Sequence, residues 1–463
     1  MSFFIFYAIL GIYWPKREII MRMAYRIIVE YYDKSSPNKT LSQCSVLEGD
    51  INKPTNCMDF TIGIEQQIAL LQNVQDSVLL EKSSLINQDE TMCPCCDNKL
   101  AKFGKQTSTI HDVLTDHVVQ IQRLKCRKCK HEEPSTVRTI LNGTLSGDLV
   151  KVQASLGADH TYRESEKILE LFSQKERQVN NHDRVKHVVE SVGKVIEQMN
   201  EDEKEIISVK PAPELILNVD GGHIKTTEDK RSLEAMVSVI YRPDALKANK
   251  KDTRNYLTSK SCAASIKDDG QKQMIGSTII AALKQGLNEK THVTALCDGA
   301  DNCWKIAESL EKFCGKITYI LDWFHISMKM ENIALPEVLK SKLMRIKWHL
   351  WRGNIDRALV RLSELEILAA NKIEKDKINK FSVYIKNNKI RIVDYRKRKN
   401  DGVVFTSNLA ESTVESLINK RCKGKQHMRW SRNGLNPLLQ LRATIHSDEW
   451  AEKWRSAVLS AAA

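Results

Sequence analysis

Two sets of residues in this sequence are spaced as chemistry requires. Cys93 and Cys96 form one Cys-X-X-Cys pair and Cys126 and Cys129 form another. Four thiolates paired in this way can complete a tetrahedral zinc site, each pair on a tight knuckle at the end of a hairpin. Sulfur fills all four positions and leaves none for water, so the zinc is expected to be structural. Cys95 is a possible substitute ligand. The β-like run 118–124 supplies a ribbon strand, and Arg123, Lys125, Arg127, Lys128 and Lys130 give the ribbon a basic edge suited to phosphate contacts.

The second set is acidic. Asp220 follows the apolar run 215–219 and precedes Gly221 and Gly222, a turn pair that would leave room for a close ligand; Asp298 follows another run, 293–297. A carboxylate that projects from the end of a buried strand is costly to desolvate unless a cation offsets it. Glu411, on a later helix, could close the site from the side, and Glu415, one helical turn on, competes for that place. Three carboxylates can hold two Mg2+ (or Mn2+) ions about 4 Å apart and so promote an in-line phosphoryl displacement. Asp322 also ends a strand and opens the sequence Asp322, Trp323, Phe324, His325, a pair suited to supporting such a centre or handling a proton. Taken singly, each Asp is more simply a turn former or a helix cap; their joint placement argues otherwise.

The elements that must position these groups can be written in order. Strands over 215–219, 234–241 and 261–266 come in succession, followed by a helix (273–287), a strand (293–297), a helix (303–313) and a strand (317–321). The order βββαβαβ matches a mixed α/β, RNase H-like fold, in which carboxylates at strand ends converge on one edge; other α+β folds can also begin with a meander and continue as βαβ. This catalytic domain spans 211–325 and 400–450, ending in a strong helix over 409–420. A helical insertion, 326–399, separates its two parts, with apolar residues at helical spacing through Leu339, Leu343, Ile346, Leu350, Ile355, Leu359 and Leu362. Ahead of it come an N-terminal region (1–90), the ribbon (91–135) and a helical region (140–205). The N-terminal region reads as a strand (25–32), a polar loop with Pro37 and Pro54, and a helix (64–80). In the helical region, helices over 162–172 and from residue 181 onward are a candidate helix-turn-helix, with Arg184, Lys186 and His187 at the start of the second. A plain helical hairpin gives the same pattern.

Lys and Arg outnumber Asp and Glu by 71 to 58, a net charge of +13 that favours a polyanionic partner. The 42% hydrophobic and 28% charged content excludes extended disorder and a membrane-embedded body. Scattered cysteines outside the one cluster fit a reducing compartment. The apolar run 2–13 is followed rather than preceded by Lys16 and Arg17, the wrong order for a signal peptide, and it is too short to span a bilayer. Met21 or Met23 could be the true start. After Glu411 come Lys420, Arg421, Lys423, Lys425, Arg429, Trp430 and Arg432, which read as a DNA-binding stripe with Trp430 available to stack on an unpaired base.

The segments VDGGHIK, LCDGADNCWKI, LDWFHISMK, LWRGNIDRAL and SNLAESTVESLINKRCKGKQHMRWSRNGLNPLLQLRA resemble bacterial insertion-sequence transposases of the ISKra kind. The resemblance runs from the cysteine pairs nearly to the C-terminus. Its most specific part is the fixed interval between the EST and MRWS motifs, which selects Glu411 over Glu415. It implies a DDE transposase in which Asp220, Asp298 and Glu411 are the catalytic triad, and Asp322 with His325 match an auxiliary DxxH element. It further implies metal-dependent cleavage and transfer of DNA strands at the terminal inverted repeats of a mobile element. The expected setting is a homo-oligomer on DNA in the bacterial cytoplasm, associated with the nucleoid and with no membrane partner. The alternatives are a catalytically inactive, transposase-derived DNA-binding or regulatory protein, and a hydrolytic nuclease of the same fold.

Overall fold

The computed structural model describes residues 23–88, 90–133, 144–173, 176–202, 209–248, 255–333, 335–407, 412–423 and 428–462. The apolar run 2–13 lies outside them, as do Glu411 and Lys425. The chain forms two compact units: residues up to Gly157 with Tyr162–Lys186, and Ala158–Thr161 with His187–Ala461.

In the first unit, β1 (Met23–Asp33) and β2 (Ser36–Ile51) form a long antiparallel hairpin. The segment expected to be a polar loop is mostly β2. Residues 36–43 of it are all exposed, and Asp33 accepts hydrogen bonds from the Ser35 amide (2.8 Å) and hydroxyl (2.6 Å), which closes the turn. Helix α1 (Ile64–Ile86) follows, then β3 (Ala101–His111), β4 (Asp116–Lys125) and the short β5 (Glu132–Glu133) in a three-stranded sheet. Ile110, Val119 and Ile121 on this sheet bury against Leu79 and Ile86 of α1. The ribbon hairpin and α1 therefore share a core. Helices α2 (Gly147–Asp159) and α3 (Tyr162–Glu170) come next, then α4 (His182–Asp202), which from His187 onward belongs to the second unit; α3 and α4 fall where the helical pair was expected.

The second unit is built on a five-stranded sheet. Its strands are β6 (Glu214–Lys225), β7 (Ser232–Tyr241), β10 (Ser261–Ser265), β11 (His292–Cys297) and β12 (Lys316–Leu321), in the order β10-β7-β6-β11-β12. β7 is antiparallel to β6 and β10, while β6, β11 and β12 are mutually parallel. The small hairpin β8 (Leu246–Ala248) and β9 (Asn255–Leu257) stands outside this order. Central strands covered on both faces read as nearly continuous apolar runs, as β6 and β11 do. Helix α5 (Lys272–Lys284) connects β10 to β11, and α6 (Asp301–Glu308) connects β11 to β12.

One turn differs from expectation. β6 does not end at Val219, and Gly221 and Gly222 are strand residues with ordinary negative φ. The reason is that β7 goes on pairing, from Asp220↔Val237 to Lys225↔Ser232, after the β11 partner has stopped at Cys297. The true turn is at 226–231.

After β12 the helices run α7 (Trp323–Glu331), α8 (Glu337–Trp351), α9 (Ile355–Leu368), α10 (Lys372–Asn387) and α11 (Tyr395–Asn400). Residues 412–414 are helical, a π-helical turn covers Glu415–Asn419, and α12 (Lys420–Cys422) completes the segment. α13 (Arg432–His446) was not anticipated in the sequence; it is buried from Gly434 to Thr444, and α14 (Trp450–Ala462) follows.

A Cβ at Gly193 of α4 would overlap the Pro437 carbonyl of α13. Gly193→Ala is expected to destabilise the protein by about 1–3 kcal/mol, read as a lower melting temperature.

Candidate active site

Parallel pairing aligns Val219, Cys297 and Leu321 in one row across β6, β11 and β12. The next residue of each strand is an aspartate: Asp220, Asp298 and Asp322. The Asp322 amide extends the ladder, donating to the Cys297 carbonyl at 3.0 Å. Three carboxylates thus stand side by side on adjacent strands, Asp298 and Asp322 just past the ends of β11 and β12 and Asp220 within β6 where its pairing with β11 stops. Residues in register share a face of the sheet, and Asp220, Asp298, Asp322, His325, Asn218, Ser407 and Val414 line one small cavity there.

Each acid is held differently. Asp220 accepts from its neighbour, the Gly221 amide, at 2.8 Å. Burial pushes its carboxyl above the usual range, and the like charges of Asp298 and Asp322 add to the rise; His325 and the Gly221 hydrogen bond oppose it. Asp298 accepts from the Ala300 amide at 2.8 Å, in a turn that Gly299 makes possible by adopting φ +98°. Asp322 is fully buried and caps α7 by accepting from the Phe324 amide at 3.2 Å. It also accepts from the Ser407 amide (2.9 Å) and hydroxyl (2.5 Å). His325 Nε2 lies 3.7 Å from the Asp322 carboxylate. Asp322 and His325 are therefore beside Asp220 and Asp298, with Asp322 in the acidic row itself.

Glu411 lies outside the described residues. Ser407 and Val414, on either side of it in sequence, both border the cavity. Lys260 Nζ donates to the Thr413 hydroxyl at 3.1 Å. Glu415, the competitor for the third position, is exposed and bonded to Asn419 on its own helix.

Three supporting residues escaped sequence reading. The Tyr384 hydroxyl of α10 donates to the Asp298 carbonyl at 2.8 Å, and the Tyr395 hydroxyl of α11 donates to the Leu321 carbonyl at 2.6 Å. Burial raises both phenols above their ordinary pKa, so they remain donors. Ser407 is the third. A tyrosine on an amphipathic helix looks like any core aromatic, so the sequence carries no signal for the first two.

The expected DNA-binding stripe separates into buried and exposed members. Trp430 is enclosed: its indole N–H donates to the Cys422 carbonyl at 3.2 Å, and its own carbonyl accepts from the Thr226 hydroxyl at 2.8 Å. It has no free face for a base, because it seals the end of β6. Arg421 is buried with its guanidinium 5.1 Å from the Trp430 ring centre. Arg432 is tied to Glu228, Asp268 and the Ile266 carbonyl. Lys423 and Arg429 are exposed. Lys423 lies over Gly222, where a Cβ would come within 3.3 Å of its Nζ. The room left by that glycine is filled by an ammonium group.

Cys93, Cys96, Cys126 and Cys129 form a four-cysteine cluster that could bind a metal such as zinc, with their sulfurs all within 4.8 Å of one another. The Cys93–Cys129 and Cys96–Cys126 sulfurs are 3.5 Å apart and the Cys96–Cys129 pair 3.6 Å; bonds of about 2.3 Å in a tetrahedron need roughly 3.8 Å. Both knuckles repeat one geometry. The amide four residues after the first cysteine, Asp97 or Lys130, bonds back to that cysteine's carbonyl, and both residues take left-handed φ, 54° and 63°. The Asn98 side-chain amide donates to Cys96 Sγ and, with the Asn98 backbone, pulls that thiol down to about 6. Cys95 is exposed and outside the cluster. On the ribbon's basic edge, Arg123 and Lys125 are paired with Glu132, while Arg127, Lys128 and Lys130 are exposed. Among the described residues the cysteines are the only three or more ligand-type side chains gathered this closely, so the acidic row is more open than the cysteine cluster.

The model of an uncharacterised protein family, UPF0236, matches residues 148–456, more than half of the chain. The chain belongs to that family. The UPF0236 match takes in the whole acidic row and the helices behind it and begins after the cysteine cluster. No curated relative matches the chain. Among the described residues, no helix is long and apolar enough to cross a membrane.

Two outcomes are expected. The purified protein should carry one equivalent of metal, and Cys96→Ser should release it and lower the melting temperature; metal analysis beside calorimetry checks both. Because the folded protein favours the protonated form of Asp220, its contribution to stability falls as pH rises from the ordinary carboxylate range to the raised value, and stays lost above it. Asp220→Asn in chelator above that range should therefore raise the melting temperature by about 1–2 °C, and should abolish any stabilisation by added Mn2+.

Proposed function

We propose that this chain is a DDE-type DNA transposase of the ISKra kind, cutting and joining strands at the ends of its own mobile element. The sheet order β10-β7-β6-β11-β12, with one antiparallel pair on each side of β7 and a parallel trio, supports an RNase H-like reading of the catalytic domain. The observation that carries the proposal is the in-register placement of Asp220 and Asp298 on neighbouring parallel strands, inside a cavity that residues on both sides of Glu411 also line.

In this reading Asp220, Asp298 and Glu411 hold Mg2+ or Mn2+. Bound there, the ions would activate a water or a strand's 3′ hydroxyl and stabilise the leaving oxygen. Asp322 is a positioning residue: its carboxylate fixes the backbone at Ser407, four residues before Glu411, and orients His325. The openness of the row suits a site that must admit a phosphodiester between its acids. Lys423 lies on the same face of β6 as Asp220, two residues along, where an ammonium can meet a phosphate flanking the reacting one. DNA, both the element's inverted repeats and its target, is the partner, bound by a homo-oligomer in the bacterial cytoplasm. Zinc in the cysteine cluster is structural.

Asp298→Asn is expected to lower Mn2+-dependent cleavage of terminal-repeat DNA by at least a thousandfold while leaving affinity for that DNA intact. Cleavage at the parent rate would rule the assignment out.

A further inference from the structure

α8 presents an outward stripe that the proposed chemistry does not use. Its inner face buries Leu343, Ile346 and Leu350, and Trp351 packs at 4.7 Å between ring centres on Trp323, the residue after Asp322. The helix is therefore anchored next to the acidic row. One turn before that anchor, Trp348 is 56% exposed. Arg345 lies three residues before it on the same side of the helix, Arg352, the C-cap residue, lies four residues after it, and both are exposed. Neither is in an ion pair, and no ring or cation packs on Trp348, among the described residues. Lys342 adds a further exposed charge to the helix. Met344, one turn before Trp348, is 50% exposed and extends the apolar surface.

The exposed Trp348 indole offers a large apolar face to solvent beside exposed cations. Bare cations on either side make a docking protein face or a lipid tail a poor match and a polyanion a good one. An aromatic face between two guanidinium groups is the arrangement that holds an unpaired base: the ring stacks on the base while the arginines take the phosphates on either side. We infer that the α8 face centred on Trp348 is a platform for unpaired or distorted DNA, with Trp348 in the stacking role that the buried Trp430 cannot fill. The inference rests on the reading of DNA as the partner and extends it to a named surface of the helical insertion.

The test is binding of a fluorescent single-stranded oligonucleotide to the full chain in chelator, so that no cleavage intervenes. Trp348→Ala should weaken binding about tenfold or more, and Trp348→Phe should restore most of the loss. Arg345→Gln with Arg352→Gln should flatten the dependence of log affinity on log salt by about one to two units. All these side chains are exposed, so melting temperatures should match the parent's. Parent-like affinity in Trp348→Ala would overturn the inference. So would a change in sedimenting mass without a change in affinity, which would make the stripe a contact between copies of the chain. Trp348-dependent binding by a parent protein that cleaves no DNA would keep the platform and defeat the transposase assignment. Full cleavage and binding by Trp348→Ala would do the reverse.

Discussion

The structure turns on the cost of aligning three carboxylates. Parallel strands lie about 4.8 Å apart, so an aspartate at the same step of β6, β11 and β12 has a like charge roughly 5 Å away. At an effective dielectric near 20, each such pair repels by about 3 kcal/mol, against about 1 kcal/mol returned by an ordinary hydrogen bond. Asp322 has three donors, two of them from Ser407, and can stay buried. Asp220 and Asp298 each have one local amide. That imbalance leaves Asp220 and Asp298 under-compensated, which is the condition a divalent cation relieves.

The rest of the unit reads as support for that row. Tyr384 and Tyr395 reach from the helical insertion to the carbonyls of Asp298 and Leu321, and Trp304 of α6 donates back to Asn388 of the insertion at 3.1 Å. Trp323, Trp351, Tyr395 and Phe405 form one aromatic cluster beneath α7. The insertion thus braces the backbone at the ends of β11 and β12 from behind the cavity.

Much of this was legible in the sequence. The order of strands and helices from 214 to 321 follows directly from short apolar runs alternating with amphipathic stretches, and the acids stand out because each follows such a run. The cysteine pairs were equally plain, since Cys-X-X-Cys spacing encodes the knuckle locally. Non-local features were not. The Asp-Gly-Gly segment looks like a turn, and only pairing with β7, a non-local fact, keeps it extended. Trp430 looks like a surface aromatic because basic residues surround it, yet its indole is enclosed at the end of β6, which the chain reaches some 200 residues earlier. β2 was hidden by its polar composition, because a hairpin with little buried surface has no apolar alternation to display.

The π-helical turn at Glu415–Asn419 has a consequence for how this segment can vary. Its wider winding leaves the carbonyls of Ser416 and Leu417 free to accept from Arg442, at 2.5 and 2.7 Å. It also sets the angular phase of everything beyond it. Each residue of a helix turns the chain by about 100°, so deleting one position here would swing Arg421 off Trp430 and Lys423 off Gly222 while leaving Thr413 and Val414 in place. Length in this stretch is therefore as constrained as residue type: substitutions can be absorbed one at a time, whereas a single-codon deletion would put the two ends of the segment out of step.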